Sequence, residues 1–411
     1  MRHVFGCVVL LAAAVPALAA DALTVTVTGA KEERKNVIVR ATFPAGDFGK
    51  ATNVRVQDTT TMLLAQFTPR RLLNEKTTVQ ELVFFIPELK TGETRTYKVV
   101  TAPNVNVTPA RFDWKDTPNQ FAELSWKRPI LRYMYAPLDE SSKEKRDQTF
   151  KVFHHLYDPT GERIVTNGAG GKYPHHRGLF FGFNKVSYGK GQVADVWHCN
   201  KGESQTDDRF FGMDLGTLLG RTHVKIAWRG QDKNVFAEED RELTAFRMLD
   251  ANLIEFASIV RTKAGPVRLD GDPQHAGFHF RAHNDVAVQD DAKMTETYFL
   301  RPDGKGKIGE TRNWDPKTKK GPVNLPWNAM SFTLGEKRYT VVYLDHPDNP
   351  KEARGSERTY GRIGSYFEYD LTEDKPLMVN YRIWLQEGEM TVDQCEALSR
   401  DFTDPVKVVV K

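Results

Sequence analysis

The densest run of chemically capable side chains is Tyr173-Pro174-His175-His176-Arg177-Gly178, entered through Gly168-Ala169-Gly170-Gly171 and followed by the apolar stretch Leu179-Phe180-Phe181-Gly182-Phe183. Asp195-Val196-Trp197-His198 closes the same segment. Phenol, imidazole, guanidinium and carboxylate groups this close in sequence can bind sugar hydroxyls, anions or a metal ion, and imidazole adds proton transfer near neutral pH. Pro174 is poorly tolerated inside a paired strand, so His175, His176 and Arg177 are expected in a loop at the entrance of the following strand, a common place for active residues. A second constellation follows from strand parity. From Ala276 to His283 one face carries His279, Arg281 and His283, with His275 in the same parity, and the other carries Ala276, Phe278, Phe280 and Ala282. Such a strand lies on a core and opens onto something wet. Near the end of the chain Met378, Asn380, Arg382, Trp384 and Gln386 alternate with Val379, Tyr381, Ile383 and Leu385, which makes Arg382 and Trp384 candidates for a second wall of one pocket.

A small-molecule carbohydrate is the ligand these residues suit. Sugars ask for planar hydrogen-bonding groups around their hydroxyls and an aromatic platform against the ring. Tyr173, Asp195, Trp197, His198, Arg281, Arg382 and Trp384 fit that description, and Glu368 is the best late carboxylate. Proton transfer at or beside an anomeric or keto carbon falls to His175, His176, Arg177, His279 and His283, in an epimerase, lyase or hydrolase type of reaction. A non-catalytic sugar-binding or envelope module is the alternative. Asp195, Glu296 and Glu368 are too scattered for the paired carboxylates of ordinary glycosidases. Imidazoles would favour copper or zinc. No HExxH, no CxxC and no dense carboxylate cluster accompanies them, so no metal or other cofactor is assigned. Neither a GxSxG elbow, a Rossmann fingerprint nor a P-loop occurs.

The elements that must position these groups read as strands throughout. Leu23–Val27, Val37–Ala41, Leu82–Ile86 and Thr94–Val100 are rich in β-branched and aromatic residues, and residues 21–110 are expected to form an immunoglobulin-like sandwich without catalytic residues. A linker with Pro103, Pro109 and Pro118 leads to residues 121–411, where Ile130–Tyr135, Phe180–Val186, Thr222–Trp228, Leu253–Val260, Gly277–His283, Thr340–Leu344 and Leu377–Leu385 predict a large antiparallel β-sandwich with few short helices. The clearest helix is the last, where Thr391 and Gln394 make a capping-box signal ahead of Cys395 and Leu398.

The first twenty residues read as a signal peptide: Arg2 and His3, an apolar run from Val4 to Ala14, then Pro16 and a small-residue cleavage region at Ala17-Leu18-Ala19-Ala20. A periplasmic or secreted protein is expected, and no later apolar stretch reaches the ~20 residues of a membrane helix. Lys and Arg total 58 against 54 acidic residues in 411, a balance that implies neither nucleic acid nor an anionic membrane as partner. Cys199 and Cys395 could form one bridge or remain two buried thiols.

Four runs, Leu156-Tyr157-Asp158-Pro159-Thr160-Gly161, Pro174 to Phe183, Asp195-Val196-Trp197-His198 and Tyr381-Arg382-Ile383-Trp384, resemble the family labelled methane oxygenase PmoA over roughly residues 125 to 405. The resemblance implies an exported bacterial protein, and its label implies a metal-dependent oxygenase or oxidase. The membrane methane monooxygenase subunit of that name spans the bilayer, which this chain has no segment to do. At fold level the strand pattern is similar to the galactose-mutarotase-like supersandwich, and fold alone transmits no function.

Overall fold

In a computed structural model the protein is described over residues 23–44, 53–74, 79–101 and 109–411; the expected signal peptide, with Cys7, and much of the expected linker lie outside these residues. Strands dominate, as expected, and are paired antiparallel in four sheets. The three helices are short: α1 (Lys143–Thr149), α2 (Asn284–Asp291) and α3 (Val392–Thr403).

The N-terminal strands form one seven-stranded sheet around Val25, Val27, Val39, Val56, Phe84 and Tyr97. Its seventh member comes from the opposite end of the chain: Lys407–Val410 pairs with Thr24–Thr28, Val25 opposite Val410. The two edge strands, Arg34–Pro44 and Lys407–Val410, also approach each other, so the sheet curls back on itself. Bringing the two edges together in this way leaves less room for another chain to pair along either of them.

The remainder is built around two large sheets, of eight and nine strands, with a common core between them. Phe181, Phe183, Phe278, Phe280 and Ile363 enter the core from the eight-stranded sheet, and Trp228, Phe256, Tyr343, Tyr381 and Ile383 from the nine-stranded one. Phe256 stacks on Phe278 at 4.3 Å across the gap. Burying each of these large side chains contributes on the order of 2–3 kcal/mol, which fixes which face of each strand points inward and therefore which residues are left outside. In the eight-stranded sheet Leu179–Phe183 pairs with Ala276–Arg281, Phe180 opposite His279, so the two stretches singled out in the sequence are hydrogen-bonded neighbours. The long apolar run from Phe180 to Val186 is two strands rather than one. It breaks at Asn184, and Lys185–Tyr188 continues in a separate four-stranded sheet.

The expected capping box opens α3, with Thr391 and Gln394 each bonding the other's backbone N–H, and Cys395 is buried beneath it. Cys199 is buried as well, and the two thiols are free rather than bridged. Among the described residues no helix is long and apolar enough to cross a membrane.

Candidate functional site

Two turns of identical spacing carry the centre of the site. Asp195-Val196-Trp197-His198 follows the strand Gln192–Ala194, and Asp272-Pro273-Gln274-His275 follows Val267–Asp270. Both strands flank Lys185–Tyr188 in the four-stranded sheet and pair antiparallel to it, so they run the same way and release their turns at the same end. In each turn the aspartate accepts from the backbone N–H two residues on, Trp197 at 3.0 Å and Gln274 at 2.9 Å, and from the ring Nδ1 three residues on, His198 at 2.8 Å and His275 at 3.0 Å. A ring nitrogen facing a carboxylate must donate, which leaves Nε2 of each imidazole as the free lone pair. A buried cation pins each turn at the equivalent carbonyl: Lys151 Nζ donates to Trp197 O, and Arg362 Nη1 donates to Gln274 O. Burial by itself would raise the Asp195 and Asp272 carboxyls, and the ring and backbone hydrogen bonds each receives, together with nearby positive charge, more than reverse this, so both are held below the usual aspartate range. Burial lowers the Lys151 ammonium to about 8.

A third turn brings two more imidazoles. The His176 N–H donates to Tyr173 O at 2.9 Å, and Asn167 holds the His176 carbonyl at 2.9 Å. Tyr173 sits at φ +57°, a left-handed conformation that a bulky side chain rarely adopts and that tends to persist where the surroundings over-determine it. The ring of His175 lies 4.2 Å from that of His176 and 4.4 Å from His198, and His198 lies 4.9 Å from His275. His175, His198 and His275 are partly exposed, whereas His176 is buried. Tyr173 and Tyr360 border the cluster, 4.7 Å apart, and the Tyr360 ring is nearly parallel to that of His176 at 6.2 Å. Burial, reinforced by neighbouring cationic groups, pushes the His175 and His176 pKa values far down, so both rings are neutral.

The remaining sequence candidates divide. Trp197 and His279 form the floor: Trp197 is fully buried and packs edge to face on His279 at 4.9 Å, and His279 Nε2 is engaged by Ala276 O at 2.8 Å. His279 therefore supports the site from below. Arg281, equally buried, donates from Nη1 to the carbonyls of Ala282 and Tyr360 and lies over the Tyr360 ring. Arg177 faces away from the cluster, stacked 4.0 Å from the Phe150 ring with its guanidinium bonded to the carbonyls of Pro174, Gln148 and Asp147; it anchors the turn to α1. His283 falls outside the strand, which ends at Arg281, and its side chain caps α2 by accepting from Asp285 N. Glu368 pairs with Arg268 and Arg354, and Arg268 lines a cavity of about 410 Å³ that also touches Asn184 and Asp195. Arg382 and Trp384 do not build a second wall. They lie on the outward face of the nine-stranded sheet, across the sandwich from the histidines, where Arg382 pairs with Glu255 and Trp384 packs under the N-terminal sheet. Parity correctly puts the two on one outer face, but it does not say which sheet of a sandwich a strand joins.

Residues 124–400 match the model of a family of unknown function, DUF6807. The chain belongs to that family. The resemblance to the family labelled methane oxygenase PmoA is thereby corrected, and the oxygenase activity implied by that label goes with it. No curated protein matches the sequence of this DUF6807 member. Among solved structures, similarity is found to a glycosyl hydrolase family 38 protein from Enterococcus faecalis (TM-score 0.39, 9% identity, 96% of this chain and 48% of that one). An alpha-mannosidase from Enterococcus faecalis V583 (0.41, 9%, 95% and 46%) is similar to the same degree. A GH36 alpha-galactosidase from Geobacillus stearothermophilus, in complex with raffinose, follows (0.30, 9%, 69% and 40%). The DUF6807 chain spans less than half the length of each, and at TM-scores this low the likenesses carry nothing about activity.

Sequence reasoning placed His275 only as an extension of the polar stripe and missed Asp272, Tyr360, Arg362 and Lys151. The signal was present in the repeated Asp-x-x-His spacing, which delivers a carboxylate-backed imidazole twice. Lys151 and Arg362 act through backbone carbonyls and so leave no motif.

Proposed function

We propose that this protein is an exported carbohydrate-active enzyme that moves a proton at a sugar carbon. The observation that carries this reading is the convergence of the partly exposed His175, His198 and His275 over the buried His176, two of them backed by carboxylates, beside the rings of Tyr173 and Tyr360. The partly exposed His175 ring, neutral because burial lowers its pKa, exchanges hydrogen bonds with hydroxyls without the cost of burying a charge. The tyrosines offer an apolar platform with polar tips. His198, partly exposed and oriented by Asp195, is the proton acceptor. With a keto sugar it takes the proton from the carbon beside the carbonyl, the C–H electron pair passes into an enediolate, and the proton returns to that carbon or a neighbouring substituent departs.

The reading is tested by incubating the full chain with a panel of mono- and disaccharides, including 3-keto derivatives, in deuterated water and following the sugar by NMR. Deuterium incorporation or a new product is expected for at least one sugar, falling by about 10²-fold or more in His198→Ala. Saturable binding with no exchange and no product would make the site a binding module; neither binding nor exchange across the panel would defeat the sugar reading altogether.

A further inference from the structure

We propose that His175, His176 and His275 form a binding site for one divalent transition-metal ion of the zinc or copper class. One ring nitrogen from each of the three lies within 4.8 Å of the others. Two nitrogens that share an ion at ~2.0–2.1 Å each are at most ~4.2 Å apart, so modest ring rotations close the set. Among the described residues, neither ring nitrogen of buried His176 has a hydrogen-bond partner, and the same is true of Nε2 of His175. Buried polar atoms without partners are uncommon in folded proteins and call for a ligand that uses their lone pairs. His275 contributes the outer arrangement typical of metal-bound imidazoles: its Nδ1 donates to Asp272, which fixes the tautomer, aims Nε2 and raises its basicity.

The donor set selects the metal. Three imidazoles with neither thiolate nor carboxylate among the ligands suit zinc or copper and are a poor match for calcium or magnesium, which prefer oxygen. Around the cluster the carboxylates of Asp195 and Asp272 offset part of the positive charge of Lys151, Arg362 and Arg281. His198, 4.4 Å from His175 and 4.9 Å from His275, borders the partly exposed side, where an oxygen of a small ligand would complete the coordination. The site stands independently of the sugar reading, because the residues and their geometry require only the ion.

The test uses the full chain without a histidine tag, stripped with chelator and titrated with Zn(II) by equilibrium dialysis and with Co(II) by visible absorption. One ion per chain is expected, with the strong d–d bands of a low-coordinate Co(II) site. His275→Ala should weaken binding by about 10²-fold and Asp272→Asn by about 10-fold or more, while His283→Ala, in the α2 cap, leaves it unchanged. Circular dichroism of each variant verifies that the fold is intact. Absence of saturable binding in the unmodified chain, or binding that survives both His275→Ala and His175→Ala in folded protein, would overturn the proposal. The sugar-exchange assay reads the other proposal separately, since an enzyme that binds no metal yet exchanges deuterium defeats only this one.

Discussion

Replacing Glu255 with alanine is expected to lower the unfolding free energy by about 3–5 kcal/mol. Glu255 is buried where the N-terminal sheet docks on the nine-stranded sheet, and its carboxylate pairs with both Arg40 and Arg382. Next to it Glu81 receives Arg71 at 2.8 Å, Arg40 at 3.5 Å and Arg221 at 3.6 Å. Removing Glu255 leaves the buried Arg382 guanidinium without a carboxylate partner and Arg40 with only Glu81, which it shares with Arg71 and Arg221, and this costs more than the pair contributes when complete. Burial alone would raise the Glu255 pKa, and Arg40 and Arg382 together more than reverse this, holding it well below the usual glutamate value of 4.5. Its stabilising contribution is thus complete above about pH 4.5 and is lost as pH falls through the depressed folded value. Denaturant titration reads both effects: the midpoint of Glu255→Ala should drop at pH 7, and the deficit relative to the unmodified protein should shrink in acid. An unchanged midpoint at pH 7 would show that the arginines find other partners. Deuterium exchange on sugar in the folded variant should be unaffected, because Glu255 lies across the sandwich from the histidines.

Gly178→Ala should cost at least ~3 kcal/mol and disturb the site as well. Gly178 has φ +52°, and a Cβ there would sit 2.1 Å from His154 O. The obstacle is backbone in a neighbouring strand of the same sheet, so no side-chain rotation relieves it, and the left-handed backbone adds ~1–2 kcal/mol for any residue with a Cβ. Gly178 O accepts from Arg281 N at 2.8 Å, so a shift here propagates to the floor of the cluster and to the Tyr173–His176 turn that precedes it. A lower denaturation midpoint together with reduced exchange activity is the expected outcome. Gly170→Ala, which has open space around its Cβ site, should cost far less despite its φ of +104°.

The β-rich fold was legible because its determinants are local. Period-two alternation at Phe278 and Phe280 and at Tyr381 and Ile383 marks inward faces directly, and Thr391 with Gln394 marks a helix start. That residues 175–177 would meet residues 279–283 was legible only in part: the chain around His175 and His176 does pair beside His279, while Arg177 turns to Phe150 and His283 caps α2. What the sequence could not convey were relations between distant segments. Nothing local says that Lys407–Val410 completes a sheet begun at Thr24, or that Arg382 faces Glu255 rather than His279. His283 was misplaced because the strand ends two residues earlier, at Arg281, where the chain turns into α2. Arg177 reads as a ligand group in sequence, yet Phe150 and three backbone carbonyls occupy it fully.

Histidine side-chain NMR on otherwise deuterated protein measures the shared surface most directly. Ring-proton cross-peaks are predicted between His175 and His176, between His175 and His198, and between His198 and His275, each pair disappearing when one partner is changed to asparagine. If His198 shows no cross-peak to either His175 or His275 in folded protein, the proton acceptor does not meet the other imidazoles, and the proton-transfer site does not exist as described.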